Sequence, residues 1–211
     1  MISPQQALTK LIEGNERFAK GDSFHPNRCE ETKNALLKEQ KPFVAVLSCS
    51  DSRVPIEIIF DAGLGDIFSV RTAGHVLSKE VIGSLEYAVR SLGVKLILII
   101  GHENCGAIKK AVETHNNKSY GELSENLQSI MNHIYPAIEK LPNSDEECLD
   151  DIIRSNIHYQ VEDLINKDEY ISQKVQANEI MLFGAEYSLA TGLVTLFQNN
   201  YNKTEAIKPA N

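Results

Sequence analysis

An α/β fold with a mostly parallel central sheet is predicted by three features of this 211-residue chain. Continuous apolar runs, Phe43 to Leu47 and Leu96 to Ile100, are short enough for strands and lack alternation, the mark of strands covered on both faces. Stretches with helical spacing separate them from each other and from a third strand-like segment, Asp66 to Val70, which calls for crossovers between parallel neighbours. Each of the three segments then runs into polar chemistry: Cys49-Ser-Asp-Ser-Arg53, Arg71-Thr-Ala-Gly-His75 and Gly101-His-Glu-Asn-Cys105.

In chain order, Ser3-Pro4-Gln5-Gln6 supplies an N-cap, a proline at the first helical position and a capping-box glutamine ahead of Leu8, Leu11, Ile12 and Phe18. This predicts an amphipathic helix ending near Gly21, and a second is expected over Glu31 to Glu39. After the first strand, Pro55 to Phe60 reads as a short helix. After the second, Ser78 caps a periodic segment (Val81, Ile82, Leu85, Val89, Leu92) that Gly93 stops. Two long helices are predicted at roughly Leu123 to Leu141 and Glu146 to Ile165, then a fourth strand near Glu179 to Phe183. Leu193 to Phe197 returns as an antiparallel edge strand through Ala190-Thr-Gly192. The expected whole is one domain over 1–211, its sheet of about four parallel strands plus that edge strand, with helices on both faces and an N-terminal helical arm over 1–40.

The 21 basic and 29 acidic residues leave a formal charge of −8, which argues against nucleic-acid or anionic-membrane partners for the surface as a whole. Leu96 to Ile100 is too short to span a bilayer, and Met1-Ile-Ser-Pro4 begins no basic-then-apolar leader, so a cytoplasmic location is the expectation. The four cysteines are too few for a disulfide scaffold of this length. Cys29 and Cys148 read as free thiols, whereas Cys49 and Cys105 fall in the polar clusters.

In parallel sheets, ligands bind beyond the carboxyl ends of the strands, so the three clusters share one edge. His102 and Cys105 are three apart, which lets a loop residue and one in the first turn of the next helix face a common metal. The helix start also favours the thiolate. Alone this is a chance pair; with Cys49 at a neighbouring strand end it becomes a three-ligand zinc site with an open fourth position. Two thiolates and an imidazole cancel the charge of Zn²⁺ and acidify a bound water less than three histidines do, so Arg53 and Arg71 are candidate compensating cations. Asp51, pinned by Arg53, is suited to hold the proton of a zinc-bound hydroxide and leave a lone pair for the substrate. Alternatively, Asp51 occupies the fourth zinc position and closes the site, or the pair is an ordinary salt bridge or turn cap. His75 is a weaker candidate, as a proton relay.

Cys-x-Asp-x-Arg followed about fifty residues later by His-x-x-Cys-Gly resembles the β-class carbonic anhydrases. The similarity continues through Leu11-Ile-Glu-Gly-Asn15 with Phe18, Ser52-Arg-Val-Pro55, Gly65-Asp66 with Phe68, Val70-Arg-Thr-Ala-Gly74, Ser84-Leu-Glu-Tyr-Ala88 and Gly184-Ala-Glu-Tyr-Ser-Leu189. What it implies is reversible hydration of CO2 to bicarbonate and a proton, with Cys49, His102 and Cys105 on one Zn²⁺ per subunit and Asp51-Arg53 as the catalytic dyad. Gln40, Phe68, Ala73, Tyr87 and Gly106 match the family's substrate pocket by position, the glutamine and phenylalanine typically reaching across from a partner subunit. A homodimer is therefore the minimum expected unit, with a tetramer or larger assembly as the alternative. A bicarbonate-regulated branch resembles this chain at Arg71 but carries tryptophan where Val46 stands; with Gln40, this places the chain nearer the plant-like branch and lowers the expectation of bicarbonate inhibition. Hydrolysis of carbonyl sulfide or carbon disulfide on the same site is the enzymatic alternative, and a closed structural zinc module the non-enzymatic one.

Overall fold

The computed structural model describes residues 2–142, 148–198 and 201. A five-stranded sheet forms its centre, in the order β2-β1-β3-β4-β5. Its strands are β1 (Val44–Cys49), β2 (Ile67–Thr72), β3 (Leu96–His102), β4 (Met181–Tyr187) and β5 (Val194–Leu196). The first four are parallel and β5 runs antiparallel to β4, as the sequence predicted.

Nine helices are described: α1 (Pro4–Lys20), α2 (Glu30–Ala35), α3 (Ile56–Ile59), α4 (Lys79–Arg90), α5 (Gly106–Asn116), α6 (Glu125–Asn132), α7 (Tyr135–Glu139), α8 (Leu149–Lys167) and α9 (Glu169–Gln176). Strand pleating sorts the core into two layers. Ala45, Leu47, Ile97, Ile99 and Leu182 face α4, α8 and α9, packing on Leu85, Leu164, Ile171 and Val175. Val44, Val46, Leu96, Leu98 and Ile100 face the other way, onto Leu8 and Leu11 of α1 and Ile56 and Ile59 of α3. Each fully buried Leu or Ile contributes about 1.5–3 kcal/mol relative to exposure, so the wholly buried β3 anchors both layers.

The N-terminal capping box forms as expected, with Ser3 and Gln6 exchanging hydrogen bonds, and Gly21 closes α1 at φ 77°. Buried Asn15 ties α1 into the fold: its amide nitrogen donates to the carbonyls of Ile59 (3.0 Å) and Gly192 (2.8 Å). Its oxygen accepts from the Val194 amide at 2.8 Å. Farther along, Asp61 receives Arg17 (2.7 Å) and the amides of Phe24 (2.8 Å) and His25 (2.9 Å), fastening the segment after α1.

Several elements differ from the sequence reading. The helix expected over 31–39 is the shorter α2, giving way to turns after Ala35. The helix expected over 123–141 is broken into α6 and α7, because Pro136 has no amide to donate and its ring excludes a continuous helix through the preceding turn. Helix α9 was not anticipated, although Asp168 caps it through the Ile171 amide at 2.8 Å. The predicted helix start at 146–147 lies outside the described residues. Strands β1 to β3 continue two residues past their predicted ends, onto Cys49, Thr72 and His102.

Candidate metal centre

Because the strands are parallel and in register, their last residues meet at one edge. Cys49 pairs with Thr72, and His102 ends β3 next door. Cys105 is the residue from which α5 starts, and the Ala107 and Ile108 amides face its sulfur. The two sulfurs lie 3.9 Å apart, and one ligand atom from each of Cys49, His102 and Cys105 falls within 4.8 Å of the others. All three residues are buried.

The histidine is oriented for coordination. A carbonyl can only accept, so the 2.8 Å contact between His102 Nδ1 and the Glu103 carbonyl places the ring proton on Nδ1. Nε2 is then a bare lone pair, and it is buried without a hydrogen-bond partner. An unsatisfied buried acceptor is costly unless something occupies it. Two sulfurs and an imidazole nitrogen facing one point fit a tetrahedral metal of zinc's type, with a fourth position left for another ligand.

Electrostatics favour this use. The Cys49 thiol is drawn well below its ordinary pKa, first by the hydrogen bond from Cys105 and also by the Asp51 and Gly74 amides, against the opposing effect of burial. Cys105 is pushed up by its bond to Cys49 and by burial. The pair therefore holds one shared proton, which a metal would displace.

Beside this cluster, Arg53 grips Asp51 through two parallel bonds, Nε to Oδ1 at 3.0 Å and Nη2 to Oδ2 at 2.7 Å. The Arg53 amide adds a third at 2.9 Å. These bonds hold the Asp51 carboxyl well below the usual carboxylate range. Asp51 Oδ2 is 3.9 Å from His102 Nε2, so the carboxylate adjoins the cluster. Arg71 braces the loop from the neighbouring strand, donating to the Cys49 carbonyl (3.1 Å) and the Asp51 carbonyl (2.7 Å).

The remaining predicted residues divide. Ala73 lies in the short 3₁₀ turn after β2, and Gly106 opens α5, both at the cluster's end of the sheet. Phe68 does not: it pairs with Ala45, four positions before Cys49, about 13 Å along the strand. Its ring packs on Tyr87 with centroids 6.1 Å apart, and Tyr87 is 49% exposed. Tyr87 also lines a cavity of about 960 Å³ with Gln40, Lys10, Phe43 and Asp66. His75 is fully buried, and burial pushes its pKa down to about 4, so it is neutral and cut off from solvent.

The family model for carbonic anhydrase matches residues 44–194. The chain belongs to the β-carbonic anhydrases. Carbonic anhydrase 2 of Mycobacterium tuberculosis is 36% identical over 195 residues, covering 92% of this chain and 93% of that protein. Among solved structures, the β-carbonic anhydrase CcaA superposes with a TM-score of 0.71 at 23% identity, over 90% of this chain and 95% of that one. A structure from the work on two tetrameric β-carbonic anhydrases of Sordaria macrospora gives a TM-score of 0.67 at 20% identity, covering 90% and 96%. The enzyme is thus a carbonic anhydrase by family, on an α/β scaffold shared with these structures.

Three contributors to the site escaped the sequence reading. Glu103, between two cluster residues, accepts at Oε2 from the Leu189 (2.8 Å) and Ala190 (3.4 Å) amides and so locks the loop after β4 against the cluster. Its position in the motif was the available signal. Asn156 of α8 reaches the 73–75 turn from behind, Gln160 beside it takes the Leu77 amide just beyond, and nothing in their spacing marks them.

Proposed function

We propose that this carbonic anhydrase hydrates CO2 reversibly with one zinc ion per chain, held by Cys49, His102 and Cys105. The observation carrying this reading is the partnerless His102 Nε2 facing two close sulfurs beside the Asp51-Arg53 pair. Zinc in such a site lowers the pKa of a water ligand and supplies a nucleophile near neutral pH.

The residues around it do the rest. Asp51 is charged and can only accept, so Oδ2 orients the attacking water by holding a proton while a lone pair stays free for the CO2 carbon. Arg53 fixes the carboxylate plane and keeps Asp51 paired with itself. Arg71, by clamping the Cys49 and Asp51 carbonyls, keeps metal ligand and dyad in one rigid loop. The reaction balances as CO2 plus water giving bicarbonate and a proton that leaves to solvent or buffer.

The active unit in this reading is at least a homodimer. Gln40, Phe68 and Tyr87 gather at the amino end of the sheet, with Tyr87 half exposed, and a second copy supplying them would complete the pocket near Ala73 and Gly106. Stopped-flow CO2 hydration on protein of measured zinc content tests the proposal. Activity proportional to bound zinc is expected; a zinc-replete enzyme with no rate above background would overturn it.

A further inference from the structure

The 73–75 turn is held in an unfavourable shape. Gly74 (φ 70°) and His75 (φ 47°) are both left-handed, and a Cβ on Gly74 would come within 2.9 Å of Ile134 Cδ1. Even so, the turn directly follows Thr72, the register partner of Cys49, and a Cβ on Gly74 would lie 3.4 Å from Ala107 Cβ, two residues past Cys105. Something must keep it there.

Helix α8 provides the brace, and the orientation of every member can be deduced. The Gly74 carbonyl can only accept, so the Asn156 amide nitrogen faces it, at 3.1 Å. The second N–H of that nitrogen goes to His75 Nε2 at 2.9 Å, which must then be the unprotonated ring nitrogen. Asn156 Oδ1 accepts from Gln160 Nε2 at 3.1 Å. Gln160 is itself oriented from both ends, donating to the His133 carbonyl (3.0 Å) and accepting from the Leu77 amide (2.9 Å). Asn156, Gln160 and His75 are fully buried, and the two amides have all their principal donors and acceptors used. Burying two primary amides costs stability unless each bond forms, so two amides this fully bonded are a high-stakes and stiff unit, although His75 Nδ1 is left without a partner.

We infer that Asn156, braced by Gln160, is a positioning residue for the metal centre: it fixes the Gly74 turn against the strand end that carries Cys49 and the helix start that carries Cys105. This rests on the zinc reading above, and the link runs through the backbone of the turn, with no contact between Asn156 and the metal. Hydrogen-bonded partners behind a metal ligand are worth about 10–100-fold in metal affinity. Here the link runs through the packing of the turn and not through a hydrogen bond to a ligand, so the lower end applies.

The test uses cobalt(II) binding to the full-length protein, read by chelator competition and by the thiolate-to-cobalt charge-transfer band, with hydrogen exchange of the Gly74 amide beside it. Wild-type protein that binds cobalt with a thiolate band that Cys49→Ala weakens establishes the underlying site; absence of that band refutes the zinc reading itself. Given the band, Asn156→Ala is expected to bind cobalt about tenfold more weakly. Its band should shift and its Gly74 amide exchange faster. Val175→Ala, a core truncation on α9, controls for general loss of stability and should leave affinity and band unchanged. Should Asn156→Ala fail to fold, Gln160→Met carries the test: it keeps the Asn156-to-Gly74 bond but removes its brace, and a smaller change in the same direction is expected. Folded variants with wild-type affinity, band and Gly74 exchange would overturn the inference, as would equal losses in Val175→Ala.

Discussion

The two ends of the sheet are built on different terms. At the carboxyl end, Cys49, His102 and Cys105 are buried within one chain and backed by Glu103, Arg71 and the α8 amides. At the amino end, Gln40 and Tyr87 line an open groove, and half of the Tyr87 surface meets solvent. A metal site must be dry and rigid before its ligand arrives, whereas a substrate wall can be supplied by another copy. In the proposed reading, one chain carries a complete set of metal ligands and an incomplete pocket.

The hardest way to break this contrast is at the carboxyl end. Cys49→Ala is expected to abolish stoichiometric zinc and reduce CO2 hydration to background, read by elemental analysis and stopped-flow together. Asp51→Asn should keep the metal yet lose about a hundredfold in kcat, the scale of a misplaced proton-transfer group. Zinc loss in that variant would make Asp51 a structural part of the cluster instead.

The amino end is sharpened by mixing. Cys49→Ala chains and Gln40→Ala/Tyr87→Ala chains, each weak alone, should recover activity when co-refolded, because a mixed dimer assembles one site with every residue intact. No recovery would mean that each chain builds its own pocket.

Dependence on pH separates the groups further. Asp51 stays charged over the working range, since Arg53 depresses its pKa, so the rate is expected to rise from about pH 6 to 9 with loss of the activated water's proton and without an Asp51 inflection. A flat profile would count against this. The smallest effect on activity is expected at Asp61, which belongs neither to the cysteine-histidine cluster nor to the lining of the Tyr87 groove. Although burial raises its pKa, the bonds from Arg17 and from the Phe24 and His25 amides leave Asp61 depressed overall. A depressed carboxylate stabilises the fold above its unfolded pKa, and that contribution fades as pH falls through the folded value. Asp61→Asn should cost about 1–3 kcal/mol in denaturant unfolding at pH 7, progressively less in acid, with kcat nearly unchanged.

Much of this was legible because apolar runs and ligand motifs abut in the chain. The strands were nevertheless read too short, since Cys49, Thr72 and His102 are polar or reactive residues on the last rungs of the ladder, where the apolar pattern has already stopped. The sheet edge is both the end of a strand and the start of the chemistry. Pro136 was present to split α6 from α7, but the flanking apolar spacing concealed it. Asn156 and Gln160 were unreadable for another reason: a buried amide on a helix has the same spacing as a solvated one, and only its partners on Gly74, Leu77 and His133 distinguish it.

Asn15 carries a consequence for how the chain matures. Its partners at Gly192 and Val194 lie 177 and 179 positions downstream, so during synthesis two of its three bonds cannot form until that segment has left the ribosome. Helix α1 is thus made long before it is secured, and truncated products ending before Gly192 would leave it poorly moored and open to proteases.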